Sequence, residues 1–472
     1  MHEVSTAAAV GMTKPPAARH PLAWVPTLYL AQGLPFYAVA LIAGLMFKSM
    51  GVPNEQIARW TGLLGFAWVF KALWSPFLEL ARSKKRAVVS FQLLGGAGLA
   101  SVALALQLPG WFALCIALLA VVSLASATHD IAADGVYIAS LSARQQAAYA
   151  GWQGAFFNAA KFLSLGGLVI LAGYLEDRIG TAPAWTVVFG LLGAALAGLA
   201  LYHSLALPGT LTVRSAQTDS LRSIATTLLD VIRAFFAKKG VWLGILFIIL
   251  FRASEGQIQT IGPLFLRDAR SVGGLGLSTA EVGAVYGTAG TVAFLVGSIA
   301  GGYFTSWLGL KRAMPWLILA MNLPNLVFWY LSAAQPDSLP LIATALGVEM
   351  FGYGFGFVGI ILFIMQVIAS GPYQTAHYAL GSGFMQLGFV LFKMVSGDIQ
   401  QALGYRHFFL WVLACAVPVL VLTRFVQFES EVTSEATCLD SWDHVPIRSW
   451  PLFKARNVLR TLFQSDFSLA TR

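Results

Sequence analysis

Thr128-His129-Asp130-Ile131-Ala132-Ala133-Asp134-Gly135-Val136-Tyr137 closes an apolar run that begins near Phe112 and is long enough to lie in lipid. Two carboxylates stand where hydrocarbon excludes charge. On a helix Asp130 and Asp134 are four residues apart and share one face, with His129 turned about 100° around the same turn. A charge near a bilayer centre costs roughly 2.5–3.5 kcal/mol on insertion scales, so these acids are expected to face a partner or a watery cavity inside a bundle. Two ionised carboxylates on one face repel each other, so one of them is the expected carrier of a proton, with His129 as a relay. The plainer reading is structural: acids near the inner end of a span also cap neighbouring helices or pair with a loop base such as Arg144.

The same apolar character runs outward along the chain. Of 472 residues, 57% are hydrophobic and 11% charged, against about 25% charged in soluble domains, which excludes a soluble globular class. Segments of about 20 apolar residues recur, as helices crossing a ~30 Å hydrocarbon core require and a barrel of ~10-residue strands does not. The expected class is therefore an all-α membrane protein. Cys115, Cys415 and Cys438 are odd in number and form no C-x-x-C pair, so neither a disulfide framework nor a metal centre is expected. The net charge of +9 falls in short connections, where Lys and Arg orient a membrane protein, so nucleic acid is not an expected partner. The expected partners are the lipid bilayer and a small-molecule solute, with a monomer as the working unit.

Twelve spans are predicted, at about 23–48, 56–80, 87–107, 111–140, 146–174, 183–206, 241–267, 279–306, 313–333, 339–369, 374–402 and 407–427. Residues 1–22 lack the charged and apolar regions of a cleaved leader and read as a cytoplasmic tail. Spans 23–206 and 241–427 form two six-helix halves, joined by a cytoplasmic linker at 207–240 and followed by a cytoplasmic tail at 428–472. Arg82, Lys84, Lys85, Arg86, Arg144, Lys238, Lys239, Lys311 and Arg312 fall in alternate loops and the opposite loops hold few bases, which puts both termini in the cytoplasm. Leu221, Ile224, Leu228, Leu229, Ile232, Phe235 and Phe236 alternate with charges in the linker, predicting an amphipathic helix on the inner leaflet. A similar pattern predicts a second interfacial helix over 451–463.

The halves echo each other. Gly173-Tyr-Leu-Glu-Asp-Arg-Ile-Gly180 after the fifth span corresponds to Gly397-Asp-Ile-Gln-Gln-Ala-Leu-Gly404 after the eleventh. Gln145-Gln-Ala-Ala-Tyr149 likewise matches Gln374-Thr-Ala-His-Tyr378, and the basic turn Arg82–Arg86 matches Lys311-Arg312. Three concordant matches at equivalent span numbers predict a duplicated six-helix unit with a cavity between its halves, the parallel repeat of major facilitator transporters.

Ionisable residues in other predicted spans extend the candidate list. Glu255 and Glu349 join Asp130, Asp134 and His129 as candidates for proton coupling; no cofactor is expected besides protons. Arg252 and Glu255, three residues apart, can pair along one face. Lys393 and Asp398 point about 140° apart and are expected to seek partners on other helices. Candidate solute contacts are Gln32, Lys71, Gln153, Asn158, Lys161, Arg252, Gln257, Tyr353, Gln386 and Lys393. Gly33 and Pro35 beside Gln32 predict a broken helix whose backbone faces a cavity. Trp68, Trp74 and Trp152 suit stacking on a sugar ring or anchoring at an interface. Gly352, Gly354, Gly356 and Gly359 predict close helix packing. A different class remains open: His129-x4-Asp134 has the spacing of an acyltransferase general-base pair.

The run Ala127-Thr-His-Asp-Ile-Ala-Ala-Asp-Gly135 resembles the D-I-x-x-D-A signature of the AmpG-like permeases, a group of the major facilitator superfamily. Leu28-Tyr-Leu-Ala-Gln-Gly-Leu-Pro35 is similar to the family's Y-x-x-x-G-L-P opening. Phe70-Lys-Ala-Leu-Trp-Ser-Pro-Phe-Leu-Glu79 is similar to its F-K-F-L-W-A-P-L-x-D. The resemblance implies proton-driven import, across the inner membrane of a bacterium, of muropeptides released from the cell wall, or of a related glycan. Siderophore uptake is the alternative within the same group. Tyr137 stands where the family's motif usually continues to a base, and Lys161 is the base nearest the position of the arginine common in the fifth span. These departures imply fewer cationic contacts and favour a neutral oligosaccharide.

Overall fold

A computed structural model describes residues 20–79, 83–141, 143–209, 221–371 and 373–428, and among them every regular element is helical. The helices are α1 (Pro21–Ser49), α2 (Asn54–Leu64), α3 (Phe66–Glu79), α4 (Lys84–Ala105), α5 (Trp111–Ser140), α6 (Trp152–Ile179) and α7 (Thr181–Ala206). They continue with α8 (Leu221–Phe236), α9 (Val241–Arg267), α10 (Thr279–Leu308), α11 (Leu310–Ala334), α12 (Leu339–Ile368) and α13 (Ala376–Leu422).

Ten of the described helices are long and apolar enough to cross a membrane, against twelve predicted spans. The difference has two local causes. The predicted second span is divided at Gly65 into α2 and α3, each too short to cross alone. At the other end, the predicted eleventh and twelfth spans join as α13, which turns sharply at Gly404 (φ 69°, ψ 164°). Gly180 and Gly309 have the same left-handed, extended geometry at the junctions α6–α7 and α10–α11. Such a backbone excludes other residues at little more than a one-residue connection.

Glycine also sets how closely the helices approach. A Cβ on Gly173 would meet the backbone of Ala280 at the start of α10, and one on Gly397 would meet the backbone of Glu55 at the start of α2. The two glycines that correspond in the sequence echo thus make corresponding crossings, α6 on α10 and α13 on α2. Gly297 and Gly301 lie on the carbonyls of Phe351 and Phe355, and Gly354 on that of Phe294, bringing α10 and α12 into backbone contact. The close packing expected of Gly352, Gly354 and Gly356 is present.

Four long helices contain π-helical turns: Ala38–Ile42 in α1, Phe162–Leu168 in α6, Gly283–Ala289 in α10 and Ile364–Ile368 in α12. The expected break at Gly33-Leu-Pro35 is absent. The chain stays α-helical to Tyr37, because Gly33 packs on Phe157 and Ala160, and widens only after it. Outward-facing Leu104, Leu201 and Ile299, with Trp242, Trp307 and Trp316 near helix ends, give the bundle an apolar coat with interfacial aromatics.

The linker helix α8 does not merely rest on a lipid surface. Phe235 is fully buried against His377 and Phe384, while Leu229 remains exposed. Lys238 then donates to the carbonyls of Ile368 (2.7 Å) and Ser370 (2.7 Å), capping the end of α12. Burial pulls the Lys238 ammonium below its ordinary pKa. The predicted helix over 451–463 and the tail 1–19 lie outside the described residues.

Candidate functional site

The α5 motif splits between two surroundings, as its helical spacing requires. Asp130 faces α3 and α1: its Oδ2 accepts from Lys71 Nζ at 3.1 Å, and Gln32 stands beside it. One turn on, Asp134 Oδ1 accepts from the Tyr29 hydroxyl at 2.9 Å, and that oxygen accepts in turn from Gln153 Nε2 at 2.7 Å. The Tyr137 ring packs edge-on against Tyr29. Asp130, Asp134 and Lys71 carry a net charge of −1 when all are ionised, so one proton neutralises the group. Asp130 Oδ1 and Gln32 Oε1 are buried without a hydrogen-bond partner.

His129 is not part of that chain. It turns to the other side of α5, where Gln92 Nε2 lies 2.9 Å from its Nε2 and 2.9 Å from His203 Nδ1. His203 continues to Thr27 Oγ1 at 3.0 Å. This buried string ties α1, α4, α5 and α7 together, a packing role for the imidazole.

A second cluster gathers residues from α6, α9, α10, α12 and α13. Arg252 pairs with Glu255, and Tyr353 donates to the same carboxylate at 2.5 Å. The Arg252 guanidinium lies over the rings of Phe357 (5.1 Å) and Phe389 (4.8 Å), which suits a weakly hydrated planar cation. Lys161 reaches in from α6, 5.0 Å above the Phe294 ring, within electrostatic range of Glu349 and Glu255. Glu349 is 1% exposed and its Oε2 has no hydrogen-bond partner among the described residues. Two bases and two acids balance here, so this cluster is neutral when fully ionised. Nearby, Tyr286 donates to Gln259 Oε1 at 3.0 Å.

Other candidates separate from these groups. Gln257 accepts from Trp411 Nε1 at 2.9 Å and donates to the Ala253 carbonyl at 2.9 Å, facing the last part of α13. Asn158 is satisfied by the Gly154 carbonyl of its own helix at 2.9 Å. Gln386 and Trp68 line one small cavity, and Lys393 borders it. Lys393 and Asp398 do find partners on other helices, the Ala40 carbonyl at 2.9 Å and Arg59 at 2.7 Å.

One end of the bundle is held by polar groups the sequence reading overlooked. Asp268 after α9 accepts from Lys48 at 2.5 Å and from Asn54 at 3.2 Å, and Tyr405 bonds the same carboxylate. Asn54 also donates to Gln400 Oε1 at 3.0 Å. On the other side Glu176 accepts from Trp185 Nε1 at 2.7 Å and from Thr279, with Arg267 3.9 Å away. The available signal was position: each of these polar residues sits at the margin of a predicted span, on the side that holds few bases.

The chain is 27% identical over 417 residues to the anhydromuropeptide permease of Escherichia coli (strain K12), covering 86% of this chain and 79% of that protein. It is 21% identical to the putative transporter AmpG 4 of Rickettsia conorii, over 86% of this chain and 96% of that one. Among solved structures, a nucleoside transporter NupG mutant aligns over 86% of this chain and 99% of its own with a TM-score of 0.65 at 16% identity. A bacterial homologue of the human lysosomal transporter Spinster, inward-facing and unoccupied, aligns over 92% and 100% with a TM-score of 0.66 at 13% identity. A D-xylose-proton symporter aligns over 87% and 99% with a TM-score of 0.63 at 12% identity. No family model matches the chain. The resemblance to AmpG-like permeases therefore extends well past the motifs in the first four spans, on a fold shared with major facilitator transporters. These similarities support a multi-pass membrane transporter and not an enzyme, and the acyltransferase alternative falls away.

Proposed function

We propose that this chain imports muropeptides or a related cell-wall glycan across a bacterial inner membrane by alternating access, with protons as the coupling ion. The architecture proposed is twelve spans in two six-helix halves with both termini in the cytoplasm. The paired crossings of α6 on α10 and α13 on α2, made by glycines that correspond in the sequence echo, support the duplication. The observation that carries the substrate reading is similarity to a permease named for anhydromuropeptide along most of both chains.

Asp130 and Asp134 are the proposed proton site. Lys71 holds Asp130, while Tyr29 and Gln153 hold Asp134, so a proton arriving at the pair removes its surplus charge and loosens one set of bonds without leaving a buried ion unpaired. Lys161, Arg252, Glu255, Glu349 and Tyr353 form the proposed electrostatic lining of the cavity, with Gln32 and Gln386 as further solute contacts. With the basic loops inside, as proposed, the Lys48–Asp268 and Glu176–Thr279 contacts lie at the periplasmic mouth, which supports reading it as closed.

The test is uptake of labelled anhydro-muropeptide and of neutral chito-oligosaccharide into proteoliposomes, with and without an inward proton gradient. Gradient-driven uptake in the wild type, abolished in Asp130→Asn or Asp134→Asn with solute binding retained, is the expected result. No uptake of either solute under any gradient would refute glycan import. Uptake indifferent to the gradient would refute proton coupling alone.

A further inference from the structure

Lys393 on α13 is 3% exposed, and no acid among the described residues lies within ion-pair distance of it. Its ammonium donates to the Ala40 carbonyl at 2.9 Å, in the π-turn of α1. One acceptor leaves two of its three protons uncommitted. A buried cation ordinarily carries an acid beside it, because an unpaired ion in a low-dielectric interior is costly.

The side chain separates two small cavities. One is lined by Thr61, Gln259 and Thr260 as well as Lys393, the other by Trp68, Gln386 and Lys393. Gln259 is 5% exposed; Tyr286 occupies its Oε1, which leaves its Nε2 without a partner. Trp68 Nε1 is likewise buried without an acceptor. The hydroxyl protons of Thr61 and Thr260 are spent on the carbonyls of Ile57 and Gly256 within their own helices. What remains unsatisfied around Lys393 is a set of donors, on α3, α9 and α13, with no carboxylate to receive them.

We propose that Lys393 and Gln259 form a site for a carboxylate of the transported solute, where α9 and α13 meet the π-turn of α1. The proposal rests on the glycan-import reading and sharpens it: the preferred solute carries an acid, such as a lactyl or peptide carboxylate, against the neutral oligosaccharide favoured by Tyr137. Charge-assisted bonds to Lys393 and a neutral bond from Gln259 replace water around the carboxylate as it enters.

The experiment compares proteoliposome uptake of anhydro-muropeptide with that of the same compound with its carboxylates amidated, in wild type, Lys393→Gln, Lys393→Arg and Gln259→Ala. Wild type is expected to prefer the acid by about tenfold or more, the loss of a charge-assisted bond. That ratio collapses to about one in Lys393→Gln and is largely kept in Lys393→Arg. A wild-type ratio near one, or a ratio that survives in correctly folded Lys393→Gln, overturns the site. Should the wild type import neither compound, glycan import fails, and thermal unfolding with N-acetylmuramic acid and with its methyl ester still decides the site. Stabilisation by the acid alone, by about 2 °C or more, and its absence in Lys393→Gln supports it; equal responses to acid and ester overturn it.

Discussion

Replacing Asp268 by Asn should open the end of the bundle that Lys48 and Asp268 hold together. The Lys48–Asp268 pair is 2.5 Å long, and its side chains are 15% and 17% exposed. At an effective dielectric constant of about 20, Coulomb's law gives about 7 kcal/mol at that separation. The cost of dehydrating both ions removes about half of it. Asparagine keeps one acceptor for Asn54 and Tyr405 but loses the charge, so the closed state is expected to weaken by about 2–4 kcal/mol. At tenfold per 1.4 kcal/mol the open population rises about 30- to 700-fold. The assay is alkylation of Ile57→Cys, a buried position one turn below Asn54, in a background without Cys115, Cys415 and Cys438, by a membrane-impermeant maleimide added outside intact cells. The Arg59–Asp398 pair is an internal control: it is 51% and 46% exposed, so Arg59→Ala should change the labelling rate no more than about fivefold. A change under about threefold in folded Asp268→Asn, or equal effects of the two substitutions, would refute the reasoning.

Lys71→Met and Asp130→Asn should each destabilise the protein more than the double replacement does, because each single change leaves the other group without its partner. A coupling energy of about 1–3 kcal/mol in a double-mutant cycle, followed by thermal unfolding, is expected. Gly354→Ala forces a methyl onto the Phe294 carbonyl and should cost about 1–3 kcal/mol in the same measurement. At Gly198, where nothing lies near the added carbon, the same change should be neutral or slightly stabilising. Lys238→Ala removes the bonds to the last carbonyl of α12 and to that of Ser370 just beyond it and should lower the melting temperature by the equivalent of about 1–2 kcal/mol.

The fold class was legible because lipid leaves few options: apolar runs of this length can only be helices. Intrahelical spacing was legible too, and so the Arg252–Glu255 pair and the shared face of Asp130 and Asp134 were predictable. Partners on other helices were not. Nothing in the chain near Asp130 announces Lys71, 59 residues away, or sets His129 against Gln92 and His203. The rotation of a helix about its axis decides such pairings, and in a bundle that is apolar on most faces the hydrophobic pattern fixes it poorly. The π-turns were invisible for a related reason, since one residue more in a turn leaves no mark in the hydrophobic pattern. Tyr29 could have been found: it lies one helical turn before Gln32 in the opening motif, on the same face.

The π-turn at Ala38–Ile42 bears on how relatives of this protein can be aligned and engineered. A π-turn holds one residue more than the α-turn it replaces. Deleting a single residue there would let α1 close into a regular helix while the part after it, through Lys48, kept its direction against Tyr29 and Gln32; closing the turn with every residue kept would instead rotate that part by about 100°. A one-residue gap at this place is therefore not alignment noise but the mark of a relative whose first helix lacks the wide turn and presents the same side chains on either side of it. Transplanting part of α1 between homologues should succeed where any one-residue difference falls at this turn and should fail where it falls elsewhere in the helix, because the side chains between the two places would then face the wrong way.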